Sequence, residues 1–131
     1  MRRALLALGL LACQREEPSR VAEEYLTFIE QGKYKRAYEL IDNISRKHVS
    51  FEDFKRYWEE KAKTWGKPYK HEVLEVSKEG EYIVVDYWWY FQPPEDTSLY
   101  QRVREFRLKL RREFKGWRVK FLKYTLKKRK R

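Results

Sequence analysis

The chain has 131 residues, of which 42% are hydrophobic and 17% aromatic, enough for one domain with a single packed core. It has one cysteine, which excludes an intramolecular disulfide. The net charge of +11 is uneven, because residues 13–101 carry 14 basic and 18 acidic residues whereas residues 102–131 carry 15 basic and 2 acidic ones. This basic excess favours anionic partners such as phospholipid headgroups, acidic cell-wall polymers or nucleic acid, although surface charge can also serve solubility alone.

The first thirteen residues have the pattern of a secretory signal. Arg2 and Arg3 precede an apolar run from Ala4 to Ala12, which is too short for a membrane-spanning helix of about 20 residues but suits a signal core. The run ends in Leu10-Leu11-Ala12-Cys13, which resembles the lipobox of bacterial lipoproteins. The resemblance implies a diacylglyceryl group on the Cys13 thiol and cleavage before that residue.

This interpretation predicts the domain organisation and the address of the protein. Residues 1–12 are a signal peptide, residues 13–18 a polar tether, residues 19–124 a single domain and residues 125–131 a basic tail. The protein is then exported and anchored to a membrane of the bacterial cell envelope by lipid on Cys13, because two or three acyl chains anchor stably. The alternative is a cytosolic protein with an apolar N-terminal helix and an incidental cysteine.

Two amphipathic helices are predicted after the tether. The first begins at Pro18, repeats apolar residues with helical spacing, and ends at Gly32. The second is short and runs from Tyr34 to Ile41. Residues 42–49 are interpreted as a connection.

A third helix is predicted after this connection. Ser50 followed by Asp53 is typical of a capping box, in which a hydroxyl and a carboxylate three residues later mark a helix start. The helix that follows ends at Gly66, just before Pro68.

Strands occupy the second half of the chain. Residues 69–78 are predicted to form a strand with Leu74 and Val76 pointing inward. Residues 81–91 are nearly all β-branched or aromatic, which indicates a central strand. A third strand over residues 99–114 alternates clearly, and a last strand begins at Trp117. On the third strand we expect Phe106, Leu108, Leu110 and Phe114 on one face and Glu105, Arg107, Lys109 and Arg111 on the other.

Helices followed by hairpin-connected strands predict an α+β fold, with N-terminal helices packed on a curved antiparallel sheet of about four strands. The segments Val21–Leu26 and Gly32–Tyr38, followed by a helix capped by a serine, resemble the nuclear transport factor 2-like superfamily, and in particular its bacterial lipoproteins of unassigned activity. The resemblance covers residues 19–124. It implies a cone-like, cystatin-like roll, often dimeric and often with a pocket at the mouth of the cone.

Three ionisable residues are candidates for chemistry. The odd positions of the central strand are apolar, so Asp86 is expected on the opposite face, paired with Arg107 or Lys109. His48 and His71 are isolated in sequence, which makes a poor metal site. No nucleophile motif and no phosphate-binding loop occur, so we predict a domain that is not an enzyme and that needs neither a cofactor nor a metal.

A binding face is predicted on the side of the sheet that faces away from the helices. Aromatic residues among cations can stack on sugars or bases, contact a second subunit, or pack within the molecule. The residues expected on this face are Trp88, Tyr90, Arg107, Lys109, Arg111, Arg118 and Lys120.

The favoured hypothesis is an envelope lipoprotein whose domain binds another protein, a second copy of itself, anionic headgroups or a cell-wall polymer. One alternative is a small-molecule-binding or enzymatic pocket in the same fold, which an open cone interior would favour over one filled by large side chains. The other alternative is a basic nucleic-acid-binding protein, which applies only if the signal interpretation is wrong.

Overall fold

The computed structural model describes residues 17–92 and 102–121. The predicted signal peptide, Cys13, most of the tether, the first residues of the predicted third strand and the basic tail lie outside the described residues. The described chain consists of four helices followed by four strands. The helices are α1 (Pro18–Glu30), α2 (Tyr34–Tyr38), α3 (Asn43–His48) and α4 (Phe51–Trp65), and the strands are β1 (Lys67–Glu79), β2 (Tyr82–Gln92), β3 (Arg102–Glu113) and β4 (Gly116–Val119).

Helix α1 forms where the apolar repeat predicted it. Its buried residues recur every three or four positions and face the sheet, and Gly32 follows its end with a φ of 77°, a left-handed conformation that suits glycine. The buried residues are Val21, Ala22, Tyr25, Leu26 and Ile29.

Helix α3 corrects the interpretation of residues 42–49 as a connection. Asp42 caps this helix, because its Oδ1 accepts a hydrogen bond of 2.8 Å from the backbone N–H of Ser45. Ser50 caps α4 in the same way, since its Oγ accepts from the N–H of Asp53 at 3.1 Å. The serine cap was predicted correctly, whereas six helical residues were too few to show a periodic pattern.

The strands form one antiparallel sheet in the order β1-β2-β3-β4. The β4 edge of the sheet is connected to the helical layer, because Ile41, which lies between α2 and α3, forms a parallel β-bridge with Val119. In this bridge the N–H of Asp42 donates to the carbonyl of Val119, and the N–H of Val119 donates to the carbonyl of Leu40, both at 2.8 Å. The fold is therefore α+β, as predicted.

The core lies between the helices and the inner face of the sheet. Val85, Tyr87, Trp89 and Phe91 are buried there, so the expected inward direction of the odd positions of β2 is confirmed. Helix α4 contributes Phe54, which is fully buried. This arrangement leaves the even positions of β2 on the outer face of the sheet.

Three apolar residues that were predicted to point inward are exposed. Leu74 and Val76 are exposed, because the helices cover only the beginning of β1 and residues 74–80 all face solvent. Leu74 also lies at an irregularity in the pairing with β2. Phe114 lies in the turn after β3 rather than on its inner face, and it is 103% exposed.

Candidate functional site

The outer face of the sheet carries the residues predicted to form a binding face. Residues that pair directly across antiparallel strands point to the same side, so the register defines this face. In addition to the predicted residues, β1 contributes side chains that the sequence analysis did not place there. These are Lys70, Glu72, Glu75, Ser77 and Glu79.

One end of this face is aromatic. Trp88 is 39% exposed and Val103 is 45% exposed, and the rings of Tyr69 and Tyr90 are neighbours with centroids 6.4 Å apart. The Lys70 ammonium lies 4.8 Å from the centroid of the Tyr90 ring, a cation–π contact. We call Tyr69, Trp88, Tyr90 and Val103 the aromatic patch.

The immediate neighbours of Trp88 are acidic rather than basic. Glu72 on β1 and Glu105 on β3 are its direct partners across the sheet. Glu72 also accepts a hydrogen bond of 3.1 Å from the Tyr90 hydroxyl. Carboxylates on both sides of an exposed indole create a local field that attracts cationic groups.

The rest of the outer face is an ion-pair network. Arg107 Nε lies 3.0 Å from Asp86 Oδ1, which confirms the predicted partner of Asp86. Arg107 also lies 3.5 Å from Glu79 and Lys109 lies 3.3 Å from the same carboxylate. The hydrogen bond from Arg107 to Asp86 raises the pKa of the guanidinium, so the arginine remains charged.

The remaining predicted cations also contact groups of the same chain. Arg111 donates two hydrogen bonds, from Nε to Asp42 at 2.8 Å and from Nη2 to Glu113 at 3.1 Å. Arg118 donates to the carbonyl of Trp117 at 2.7 Å, and Lys120 lies 5.0 Å from the centroid of the Tyr82 ring. The basic side chains of β3 and β4 therefore stabilise the sheet as well as giving it charge.

The two histidines lie in different surroundings. His48 is at the end of α3, where its Nδ1 lies 3.0 Å from the carbonyl of Ile44. His71 lies on β1 and its ring faces α1, with both ring nitrogens beside carboxylates, Nδ1 at 2.8 Å from Glu30 and Nε2 at 3.2 Å from Glu23. Within residues 17–92 and 102–121, no three histidine, aspartate, glutamate or cysteine residues are placed to hold a metal ion.

His71 and its carboxylate partners Glu23 and Glu30 link α1 to the sheet. Glu30 also accepts a 2.8 Å hydrogen bond from the indole nitrogen of Trp89, and its side chain is only 11% exposed. The hydrogen bond to Glu30 is the main cause that raises the pKa of His71, and burial opposes it. Because both ring nitrogens face carboxylates, the protonated imidazolium donates to both and holds α1 against the sheet.

Among the described residues, large side chains pack the interior between the helices and the sheet. Tyr25 and Trp89 are each about 1% exposed, and Trp58 packs edge-on against Trp89 with ring centroids 5.6 Å apart. Phe106 and Phe121 complete this cluster of rings. Burial raises the pKa of both Tyr25 and Tyr87, which keeps their hydroxyls neutral.

A groove of about 440 Å³ lies on α1, away from this interior. The described residues that line it, Arg20, Glu23, Glu24, Thr27 and Phe28, all belong to that one helix. In the described part of the chain, no helix is long and apolar enough to cross a membrane.

Comparison with known proteins identifies the fold. No protein-family model matches the sequence, and no curated protein matches it. Solved structures that are similar include a SEC-C motif-containing protein from Rhodopseudomonas palustris and a Campylobacter jejuni protein provisionally named an NTF2-like transpeptidase. The first is 16% identical with a TM-score of 0.61 over 86% of this chain and 83% of its own; the second is 15% identical with a TM-score of 0.60 over 81% of this chain and 99% of its own. Both the architecture and these similarities assign the chain an NTF2-like α+β fold.

Proposed function

We propose that the protein is a lipid-anchored binding module of the cell envelope, with Cys13 as its anchor and the aromatic patch as its contact surface. The exposed Trp88, set beside Tyr90 and Val103 on a rigid sheet, is the observation that carries the proposal. Exposed tryptophan and tyrosine on a rigid element are the side chains that contribute most to protein–protein contacts.

The charges around the patch suit a protein partner with basic side chains. Glu72 and Glu105 flank Trp88 on both sides. A lysine or arginine of the partner that approaches the indole meets the face of the ring and a carboxylate together, which combines a cation–π contact with an ion pair. The Lys70 ammonium already contacts the Tyr90 ring, 4.8 Å from its centroid, and lies at the edge of the patch.

The filled interior supports a binding role over a pocket enzyme. The provisional name of the Campylobacter neighbour suggests acyl transfer, a reaction that needs a cavity with a nucleophile and a base in hydrogen-bonding reach. Tyr25, Trp58 and Trp89 occupy the space in which such a cavity would lie. The imidazole of His71 has carboxylates at both nitrogens, so neither nitrogen is available as a base toward a substrate.

The anchor is tested by cell fractionation. Wild type is expected in the membrane fraction with the mass of a lipid added at Cys13, and Cys13→Ala is expected to lose both. Residue 13 precedes the predicted domain of residues 19–124, so we expect the variant to keep that domain folded. Wild type found unmodified in the cytosol contradicts the anchor.

The contact surface is tested by photo-crosslinking in living cells. A photoreactive amino acid at position 88 is expected to give one defined adduct, and the same group at the exposed position Glu60 on α4 is expected to give none. Adding Glu105→Lys to the labelled chain reverses the charge beside Trp88, so it is expected to weaken the adduct at least tenfold. An adduct of equal strength at both positions, or none at either, contradicts the proposal.

A further inference from the structure

The tip of the β3–β4 hairpin presents an apolar side chain that packs against nothing. Phe114 lies in the turn between the two strands and is 103% exposed, as open as in an extended peptide. Turns of this kind are normally built from glycine, asparagine, aspartate or serine, because the side chain at the tip remains in water. Gly116 supplies the unusual backbone conformation with a φ of 126°, so the turn itself does not require phenylalanine.

The tip is held rigidly by the carboxylate that precedes Phe114. Glu113 accepts a 3.1 Å hydrogen bond from Arg111 and a 2.8 Å hydrogen bond from the backbone N–H of Asn43. The second bond fixes the start of α3 beside the tip. Ile44, the next residue of α3, is 40% exposed, so a second apolar side chain lies at the same end of the molecule.

Cations surround these two apolar residues. Arg112 lies two residues before Phe114 and Lys115 directly follows it, and Lys47 lies three residues after Ile44 on α3; all three cations are exposed. The acidic groups at this end are largely paired: Glu113 with Arg111, and Glu79 with Arg107 and Lys109. Glu81 is an exposed carboxylate in the neighbouring β1–β2 turn. The tip therefore combines exposed apolar side chains with positively charged side chains around them.

We infer that this tip is a membrane contact, in which Phe114 and Ile44 enter the headgroup region of an anionic phospholipid bilayer and Arg112, Lys115 and Lys47 bind its phosphates. Exposed apolar side chains surrounded by basic ones hold a protein at the membrane–water interface, because burial of the apolar groups and attraction to anionic lipid act together. The contact orients the domain on the membrane and adds to the attachment by the proposed lipid anchor. That a membrane is nearby rests on this proposed anchor. Pro18 is the fifth residue after Cys13, a reach of at most about 18 Å, so an anchored domain stays close to the headgroups.

The contact is tested without the anchor. The chain from residue 14 to residue 131 contains all described residues and has no cysteine, so Phe114→Cys provides a single site for a polarity-sensitive fluorophore. Mixed phosphatidylglycerol–phosphatidylcholine vesicles are expected to shift its emission to the blue, and pure phosphatidylcholine vesicles are expected to leave it unchanged. Leu74→Cys is the matched control, an exposed apolar position on β1 at the opposite edge of the sheet, where we expect no shift.

Partitioning of the unlabelled chain gives an independent measure. Phe114→Ser is expected to weaken cosedimentation with the anionic vesicles about tenfold, equal to about 1.4 kcal/mol, while Leu74→Ser leaves it unchanged. Vesicle binding with an unshifted label at position 114 overturns the inference, because another basic part of the chain then makes the contact. Equal loss in both serine variants overturns it as well. Since these experiments omit Cys13, failure here leaves the anchor to be judged by fractionation alone.

Discussion

Asp42 joins three elements of the fold, because its side chain, which is 1% exposed, connects α3 and β3 and its backbone connects to β4. Its Oδ1 caps α3 through the N–H of Ser45, and its Oδ2 accepts from Arg111 on β3, each at 2.8 Å. Its backbone N–H also pairs with the carbonyl of Val119 at the edge of the sheet. Replacing this side chain therefore tests how much the polar links between the helical layer and the sheet contribute.

The expected loss for Asp42→Ala follows from these contacts. Removing the cap costs about 1 kcal/mol, and losing a charge-assisted hydrogen bond in a buried site costs about 2 to 3 kcal/mol. Arg111 keeps Glu113 and is 24% exposed, so the penalty stays below that of a fully isolated buried charge. The sum is about 3 to 4 kcal/mol, a large part of the ordinary stability of about 5 to 15 kcal/mol. Asp42→Asn keeps a capping oxygen and is expected to lose about 2 kcal/mol.

Urea unfolding followed by tryptophan fluorescence measures both variants. Asp53→Asn is the control, because it removes a 2.8 Å ion pair with Arg56 in which both side chains are largely exposed, and it is expected to cost at most about 1 kcal/mol. The reasoning is refuted if Asp42→Ala costs no more than this control. It is also refuted if the alanine and asparagine variants at position 42 are equally unstable, since the cap would then contribute nothing.

Three further predictions follow from single contacts. The pKa of His71 is raised, so its stabilisation is complete below the ordinary histidine pKa of about 6.5 and is lost as pH rises through the folded pKa. His71→Gln should therefore flatten the fall in unfolding free energy as pH rises above about 6.5; an unchanged slope would assign that fall to other groups. Ser50→Ala should cost about 1 kcal/mol in urea unfolding through loss of the bond to the N–H of Asp53, and Ser50→Asp should restore it. Leu110→Ala should cost about 2 to 5 kcal/mol, because Leu110 is fully buried, and a smaller loss by thermal unfolding would mean that the core collapses around the site.

The sequence predicts the layers of this fold well because periodicity reports burial directly. The apolar repeat of α1 and the odd positions of β2 both face the core as expected. Leu74 and Val76 show the limit of this reasoning, because alternation reveals which side of a strand is apolar but not how far the helices extend over it. Asp42 three residues before Ser45 was an available sign of α3, since aspartate is a preferred helix cap.

The partners of the candidate site were harder to predict because they come from distant parts of the chain. The sequence analysis grouped the cations of β3 with residues near them in sequence. In the structure their carboxylate partners are distant in sequence, because Glu79 lies on β1 and Asp42 at the start of α3. His71 was judged isolated, yet Glu30, 41 residues earlier, lies 2.8 Å from it. Only the pairing register and the packing of α1 on the sheet bring these charges together, and neither is determined by local pattern.

The two edges of the sheet differ in their exposure to other chains. At β4 the bridge to Ile41 occupies backbone groups, whereas β1, within the described residues, pairs with β2 alone. A free strand edge of 13 residues invites another chain to add a strand and so begin aggregation. In β1 the pairing register shifts at Tyr69 and again at Leu74, and charged side chains such as Lys70 and Glu75 follow these points, so an incoming strand meets a bent and charged template. The irregular pairing of β1 thus protects the solubility of the folded protein, and a straightened β1 would remove that protection.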